Sequence, residues 1–307
     1  MQKLRKSSFN EASQFIKNYA RPLENRIYKD YFHKPCSEEI LSELKKYQND
    51  DGGFGNGLEL DFELPFSSPI ATSFAFQHLV KLDNVEKSIS MIKSGIEYFE
   101  NTFVPERNGW FAVPKEVNEF PHAPWWHYNE EEGMTIIDKY WGNPSAEIIG
   151  YLYKYKNLAS KLNVDQLLNY AIDYLNDKND FEGEHEIYCY IRLYKLLPNR
   201  LSSKIEDKLE RAVQRLVCRN REEWDKYVPK PLNFVSDPES YKFGISPKLI
   251  EDHLDYLVDI IGDNGIINPN WEWNDYETEW EKAREEWIGV LTLRGLITLD
   301  KFGRIEK

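Results

Sequence analysis

Gln48-Asn49-Asp50-Asp51-Gly52-Gly53-Phe54-Gly55 joins two stretches of opposite character. Before it, Glu38 to Tyr47 carries apolar residues at helical spacing with charges between them, the pattern of a helix that buries one face. After it, Ser68-Pro69 starts a run, Ile70-Ala71-Thr72-Ser73-Phe74-Ala75-Phe76 and on to Leu79-Val80, that is apolar on most sides. A helix of that kind has to be buried all round. The glycines permit the left-handed turn that ends the first helix, and Phe54 is then placed to fill the gap between helices.

The same alternation extends along the chain. Segments 85–101, 163–177 and 247–261 and the run Lys208 to Val217 are amphipathic; Ala146 to Tyr155, Ile187 to Leu197 and Trp287 to Leu299 are apolar on most sides. Ser68-Pro69, Asn143-Pro144 and Ser246-Pro247 each set a capping residue before a proline suited to the first helical turn. Strands find little support. The glycine-then-hydrophobic joint returns as Asn108-Gly109-Trp110-Phe111 and Gly262-Asp263-Asn264-Gly265-Ile266-Ile267, with a fainter copy at Phe181-Glu182-Gly183, so the chain reads as a degenerate repeat. The expectation is a single all-α domain over 1–307, with inner helices ringed by outer ones and an irregular stretch between Arg221 and Ile245.

Composition narrows the function. The 307 residues are 41% hydrophobic, enough for a sizeable core, and no Gly/Ser-rich or Pro-rich linker divides them. A net charge of -13 argues against a nucleic-acid partner, which needs Lys and Arg to neutralise phosphates. No apolar run is long enough to span a membrane, and no signal peptide is visible after the basic start. Three widely spaced cysteines, Cys36, Cys189 and Cys218, suit reduced thiols better than a disulfide framework, so a cytoplasmic location is expected.

The spacing of Gln48, Gly52 and Phe54 resembles the Gln-Trp motif of squalene/hopene and oxidosqualene cyclases, and Asp51-Gly52-Gly53-Phe54-Gly55 resembles the matching turn of protein prenyltransferase β subunits. The resemblance implies an α/α toroid and an isoprenoid ligand in an aromatic central cavity, whose ring faces stabilise cationic intermediates. It extends to Glu184-His185-Glu186-Ile187-Tyr188-Cys189, which is similar to an inner-helix start where a histidine, here His185, faces a lipid diphosphate. Two family motifs are missing: the Asp-x-Asp-Asp acid of the cyclases, and the Asp-x-Cys pair that holds zinc, since Lys34, Ile187 and Leu216 stand two residues before the cysteines. No metal site is therefore assigned and no cofactor is indicated.

Three connections combine carboxylates with aromatic residues: 59–66, 122–132 and 271–280. In a toroid, loops that lead from outer to inner helices gather at one mouth. Asp61 and Glu63 read as paired carboxylates, or as helix-capping groups. His122 and His127 read as acid/base groups, or as histidines satisfied by hydrogen bonds. Trp125, Trp126, Tyr128, Trp271 and Trp273 read as a ligand-binding wall, or as a cover over the barrel end. The acidic run Glu251-Asp252-His253-Leu254-Asp255 reads as a solvated helix face. The leading expectation is a small organic ligand of isoprenoid type. A carbohydrate-active enzyme using two acids, Asp61 and Glu63 with one of Glu130 to Glu132, is the second. A non-catalytic binding scaffold is the third.

Overall fold

A computed structural model describes residues 2–306. It is all-α: twelve α-helices and five short 3-10 turns, with isolated bridges in place of strands among the described residues. None of these helices is long and apolar enough to cross a membrane. The chain forms two compact units. The first comprises 1–40, 213–272 and 277–307; the second comprises 41–212 and 273–276.

The sequence periodicities become helices with small shifts. The segment 38–47 forms α3 (Ser37–Lys45), and the apolar runs form α4 (Pro69–Leu79), α6 (Gly142–Lys154), α8 (Glu184–Leu196) and α12 (Glu277–Lys301). The other amphipathic segments form α5 (Glu86–Asn101), α7 (Val164–Asp177), α9 (Asn199–Leu216) and α11 (Pro247–Asn264). Three helices were not anticipated: α1 (Lys6–Tyr19), α2 (Pro22–Phe32) and the single turn α10 (Pro231–Phe234). The first two bury few apolar side chains for their length, so their hydrophobic signal is faint. The caps follow expectation at Ser68 and Ser246, whose side chains accept from Ala71 N and Leu249 N, each at 3.2 Å. At Asn143 the side-chain oxygen instead accepts from the Cys189 thiol, at 3.6 Å.

In the second unit α4, α6 and α8 pack in sequence, with α5 against α4 and α6, and α7 against α6. In the first unit α1 packs on α2, α11 and α12, and α11 also meets α10 and α12.

The repeated joint has a common geometry. Gly52, Asn108 and Gly265 all adopt positive φ, at 88°, 50° and 71°. Two residues later, in each case, a backbone N–H donates to a fully buried hydroxyl on another helix. Phe54 N reaches Thr72 Oγ1 at 2.9 Å, Trp110 N reaches Ser145 Oγ at 3.0 Å, and Ile267 N reaches Thr292 Oγ1 at 2.9 Å. Gln48 completes the first joint by donating to Gly52 O and Ser94 Oγ, both at 2.9 Å. A Cβ at Gly52 would lie 2.4 Å from the Ser94 carbonyl oxygen, so glycine is required there by space as well as by φ. Gly183 lacks this geometry; it precedes α8 in an extended conformation.

The acidic run on α11 is not simply a solvated face. Arg304, whose side chain is fully buried, pairs with Glu251 at 2.6 Å and with Asp255, and donates to the Gln2 carbonyl. The backbone hydrogen bonds Leu4 N to Arg304 O and Glu306 N to Leu4 O, at 2.7 and 3.0 Å, join the two terminal segments beside it. His253, within the same run, is buried and accepts from Leu232 N through Nδ1 at 3.1 Å, while its Nε2 hydrogen is buried without a partner. Burial first, then the charges of Lys230 and Arg221, push its pKa down to about 3.

Two outcomes follow for stability. Thr72→Val keeps the shape but strands the buried Phe54 N–H, so it is expected to lower unfolding free energy by about 1–3 kcal/mol in urea titration. His253 stays neutral when folded but has an ordinary value of 6.5, so as pH falls below that value the unfolded chain takes up a proton that the folded chain refuses. Stability contributed by His253 is thus present above pH 6.5 and is lost progressively towards about pH 3, at roughly 1.4 kcal/mol per pH unit. Urea midpoints measured across this range should show a shallower acid slope in His253→Asn, whose side-chain oxygen can replace Nδ1 as acceptor.

Candidate functional site

The long connection between α5 and α6 is ordered by local hydrogen bonds. Four 3-10 turns, at 105–107, 115–119, 124–126 and 137–139, divide it. Asn118 and Tyr128 exchange two hydrogen bonds, each at 2.8 Å. Asn129 Oδ1 accepts from Glu131 N and Glu132 N, at 2.9 and 3.2 Å. Buried Asp138 accepts from Ala112 N, Thr135 N and Thr135 Oγ1, at 2.7, 2.9 and 2.7 Å. Burial raises the Asp138 pKa, and these hydrogen bonds oppose the rise.

This connection pairs with the 59–66 loop. Phe62 and His122 form an antiparallel bridge, with Glu63 N donating to Pro121 O and Ala123 N to Asp61 O, both at 2.8 Å. The segment 273–276 joins them. Trp273, fully buried, donates its indole N–H to Asp61 Oδ1 at 3.0 Å, and the Tyr276 ring lies 5.8 Å from the His122 ring. Asn274 and Tyr276 both adopt positive φ, at 60° and 51°. Such backbone is uncommon in a non-glycine residue and costs of order 1 kcal/mol or more. Glu59 and Asp61 are both buried, and Glu59 Oε2 accepts from Asp61 N at 2.7 Å. Neither of them caps α4, since Ser68 does.

The histidine pair has defined proton positions. His122 Nδ1 lies 2.6 Å from the Phe120 carbonyl oxygen, which can only accept, so Nδ1 carries the hydrogen. In neutral His122, Nε2 is then an acceptor, and His127 Nδ1, 3.2 Å away, is its donor. His127 is exposed, and its Nε2 is left with the lone pair. The result is a hydrogen-bonded relay from His127 Nδ1 through His122 to the Phe120 carbonyl. Phe66 and Phe120 pack edge to face beside the same loops, with ring centroids 5.8 Å apart, and Phe66 is largely exposed.

The structure therefore gathers Asp61, Glu63, His122, His127, Trp126 and Trp273 around one loop junction, together with Tyr128 through its own turn. Trp125 is half-buried, whereas Trp126 is only 5% exposed and packs at 86° against Phe62, 5.6 Å away. Trp271 is placed elsewhere. It packs on Tyr227 and Trp287 in the first unit, at 5.8 and 5.1 Å. Two residues apart in extended chain, Trp271 and Trp273 serve different units. His185 lies on the first turn of α8, with half its side chain exposed and Glu184 3.9 Å away.

Sequence reasoning placed Tyr276 in the 271–280 connection without a binding role, and passed over a charged pair in the helices, Glu147 on α6 and Arg192 on α8, 2.9 Å apart. The available signal was one acid and one base interrupting apolar runs. No group of three or more His, Cys, Asp or Glu among the described residues is arranged to hold a metal ion. The chain matches no known family model, no curated protein and no solved structure.

The packing of Trp126 makes it core as well as site. Trp126→Ala is expected to destabilise the protein by about 3–5 kcal/mol, read as a lowered denaturation midpoint. An unchanged midpoint would mark the tryptophan as a dispensable wall.

Proposed function

We propose that the protein binds a small organic ligand of isoprenoid type at the junction of the 59–66, 118–128 and 273–276 segments, with His127 as the proton-accepting group. The observation that carries this reading is the convergence of those three segments on Asp61, Trp273, Tyr276 and the His122–His127 relay. Aromatic rings and a positioned base are the groups a carbocation-forming or carbocation-quenching site needs, because ring faces attract positive charge and a base ends the reaction by removing a proton. The alternation of inner and outer helices in the second unit supports a toroid-like reading, and the resemblance to terpenoid cyclases supplies the ligand class. The cyclase acid motif is absent, so the reading is of ligand binding with proton removal, not of protonation-initiated cyclisation. The carbohydrate reading draws less support, because Asp61, one of its two acids, is buried and engaged by the Trp273 indole N–H. The scaffold reading leaves the exposed lone pair of His127 without a role.

Native mass spectrometry of gently purified protein, followed by release and identification of bound species, tests this. A bound isoprenoid, or capture of added farnesol, is expected, with His127→Ala weakening capture about tenfold, the scale of one lost hydrogen bond. A co-purified sugar, or an empty protein that does not take up farnesol, overturns it.

A further inference from the structure

Within the second unit, the long connection between α5 and α6 lines a cavity of about 540 Å³ that shares no residue with the loop junction. Arg107, Asp138 and Trp141 form part of its wall, and Glu132, Met134 and Lys139 complete it. The wall is fixed by local hydrogen bonds. Trp141 donates its indole N–H to the Arg107 carbonyl at 3.0 Å. Asn129 N donates to Met134 O at 2.9 Å, which closes the turn that carries Glu132.

Arg107 is half-buried, and its guanidinium has no carboxylate partner among the described residues. Nε donates to Trp110 O at 3.1 Å and Nη2 donates to Asp138 O, while the Phe111 ring lies 4.7 Å away. Two carbonyls and a ring therefore set the guanidinium plane, and Nη1 has no hydrogen-bond partner among the described residues. The Asp138 carboxylate is engaged elsewhere: Oδ1 accepts from Ala112 N, and Oδ2 from the amide and the hydroxyl of Thr135. Burial pushes the Arg107 pKa down and the charge of Asp138 opposes this, which is the behaviour of a cation taken from water without full compensation. Glu132 and Lys139 pair at 2.9 Å with 44% and 50% of their side chains exposed. An ion pair so open to water holds loosely and exchanges partners readily.

We propose that this cavity binds a small zwitterion of the α-amino acid type with an apolar side chain. Its carboxylate meets the Nη1 edge of Arg107, its ammonium meets Glu132, and its side chain lies against Met134 and Trp141. Charge balance selects the ligand class. The lining sets two cations, Arg107 and Lys139, against two acids, Glu132 and Asp138. A simple anion or cation would meet as much repulsion as attraction there, whereas a zwitterion brings each charge beside its opposite. The carboxylate matches a guanidinium fork whose plane is already fixed, so little ordering is needed on binding. The ammonium replaces Lys139 at Glu132, and the long, exposed lysine returns to water. The site uses none of the loop-junction residues, so it stands or falls independently of the function proposed above.

The test is a calorimetric and thermal-shift titration of the whole protein with L-leucine, with 4-methylpentanoate, which lacks the ammonium, and with 3-methylbutylamine, which lacks the carboxylate. L-Leucine is expected to bind one to one and to raise the melting midpoint. Each half-ligand should bind about tenfold more weakly or worse, the scale of one lost charged hydrogen bond. Glu132→Gln, on an exposed turn, should fold normally, weaken leucine about tenfold and leave 4-methylpentanoate unchanged. Arg107→Lys keeps a cation but loses the fork; it should weaken leucine about tenfold and leave 3-methylbutylamine unchanged. Leucine that does not bind overturns the proposal. So does a half-ligand that binds as tightly as leucine, or a leucine affinity that Glu132→Gln leaves unchanged.

Discussion

A backbone N–H donating to a buried hydroxyl on another helix, two residues after a left-handed turn, recurs at Phe54, Trp110 and Ile267. Each of these amides lies where the chain has just left a helix, and those of Phe54 and Trp110 are buried. An unpaired amide there costs more than one ordinary hydrogen bond contributes, so Thr72, Ser145 and Thr292 are necessities of the joint. The hydroxyl also sets register. It holds the hydrophobic residue at a fixed height on the next helix, so Phe54 and Trp110 both come to lie fully buried. Trp110 is further anchored by its indole N–H on Phe99 O, at 2.8 Å.

That register decides which side chains meet on the inner layer of the second unit. With α4 set by Thr72 and α6 by Ser145, the α4 residue Ser73 faces the α6 residue Glu147, and Arg192 of α8 closes the other side. Polar groups at such depth are tolerated only when each finds a partner. Glu147 finds two.

The loop junction is built by different means. Its segments are not helical, so backbone pairing and side-chain hydrogen bonds fix them: two bonds between 61–63 and 121–123, the Asn118–Tyr128 exchange, and the Trp273–Asp61 bond. The positive φ of Asn274 and Tyr276 is strain that these contacts hold in place. The junction is buried at Asp61 and Trp273 and exposed at His127 and Phe66.

Local periodicity determined the helices, because a buried or half-buried helix must repeat its apolar residues every three to four positions. It determined three of the joints as well, where glycine or asparagine takes a left-handed turn at Gly52, Asn108 and Gly265, while Gly183 is extended. The helices α1 and α2 escaped because their apolar stripes are thin. The gathering of the three acid- and aromatic-rich connections was legible as an expectation from the alternation of layers. The proton order of the His122–His127 pair was not, since it depends on a carbonyl brought within 2.6 Å by the turn at 120–122. Nor was the division between Trp271 and Trp273, which rests on the different partners each ring meets, Tyr227 and Trp287 for one and Asp61 for the other. The Glu147–Arg192 pair lies 45 positions apart in sequence, and opposite charges at such separation are ordinary in any soluble chain. Only the packing of α6 against α8 makes these two partners, because only there does leaving either alone become prohibitive.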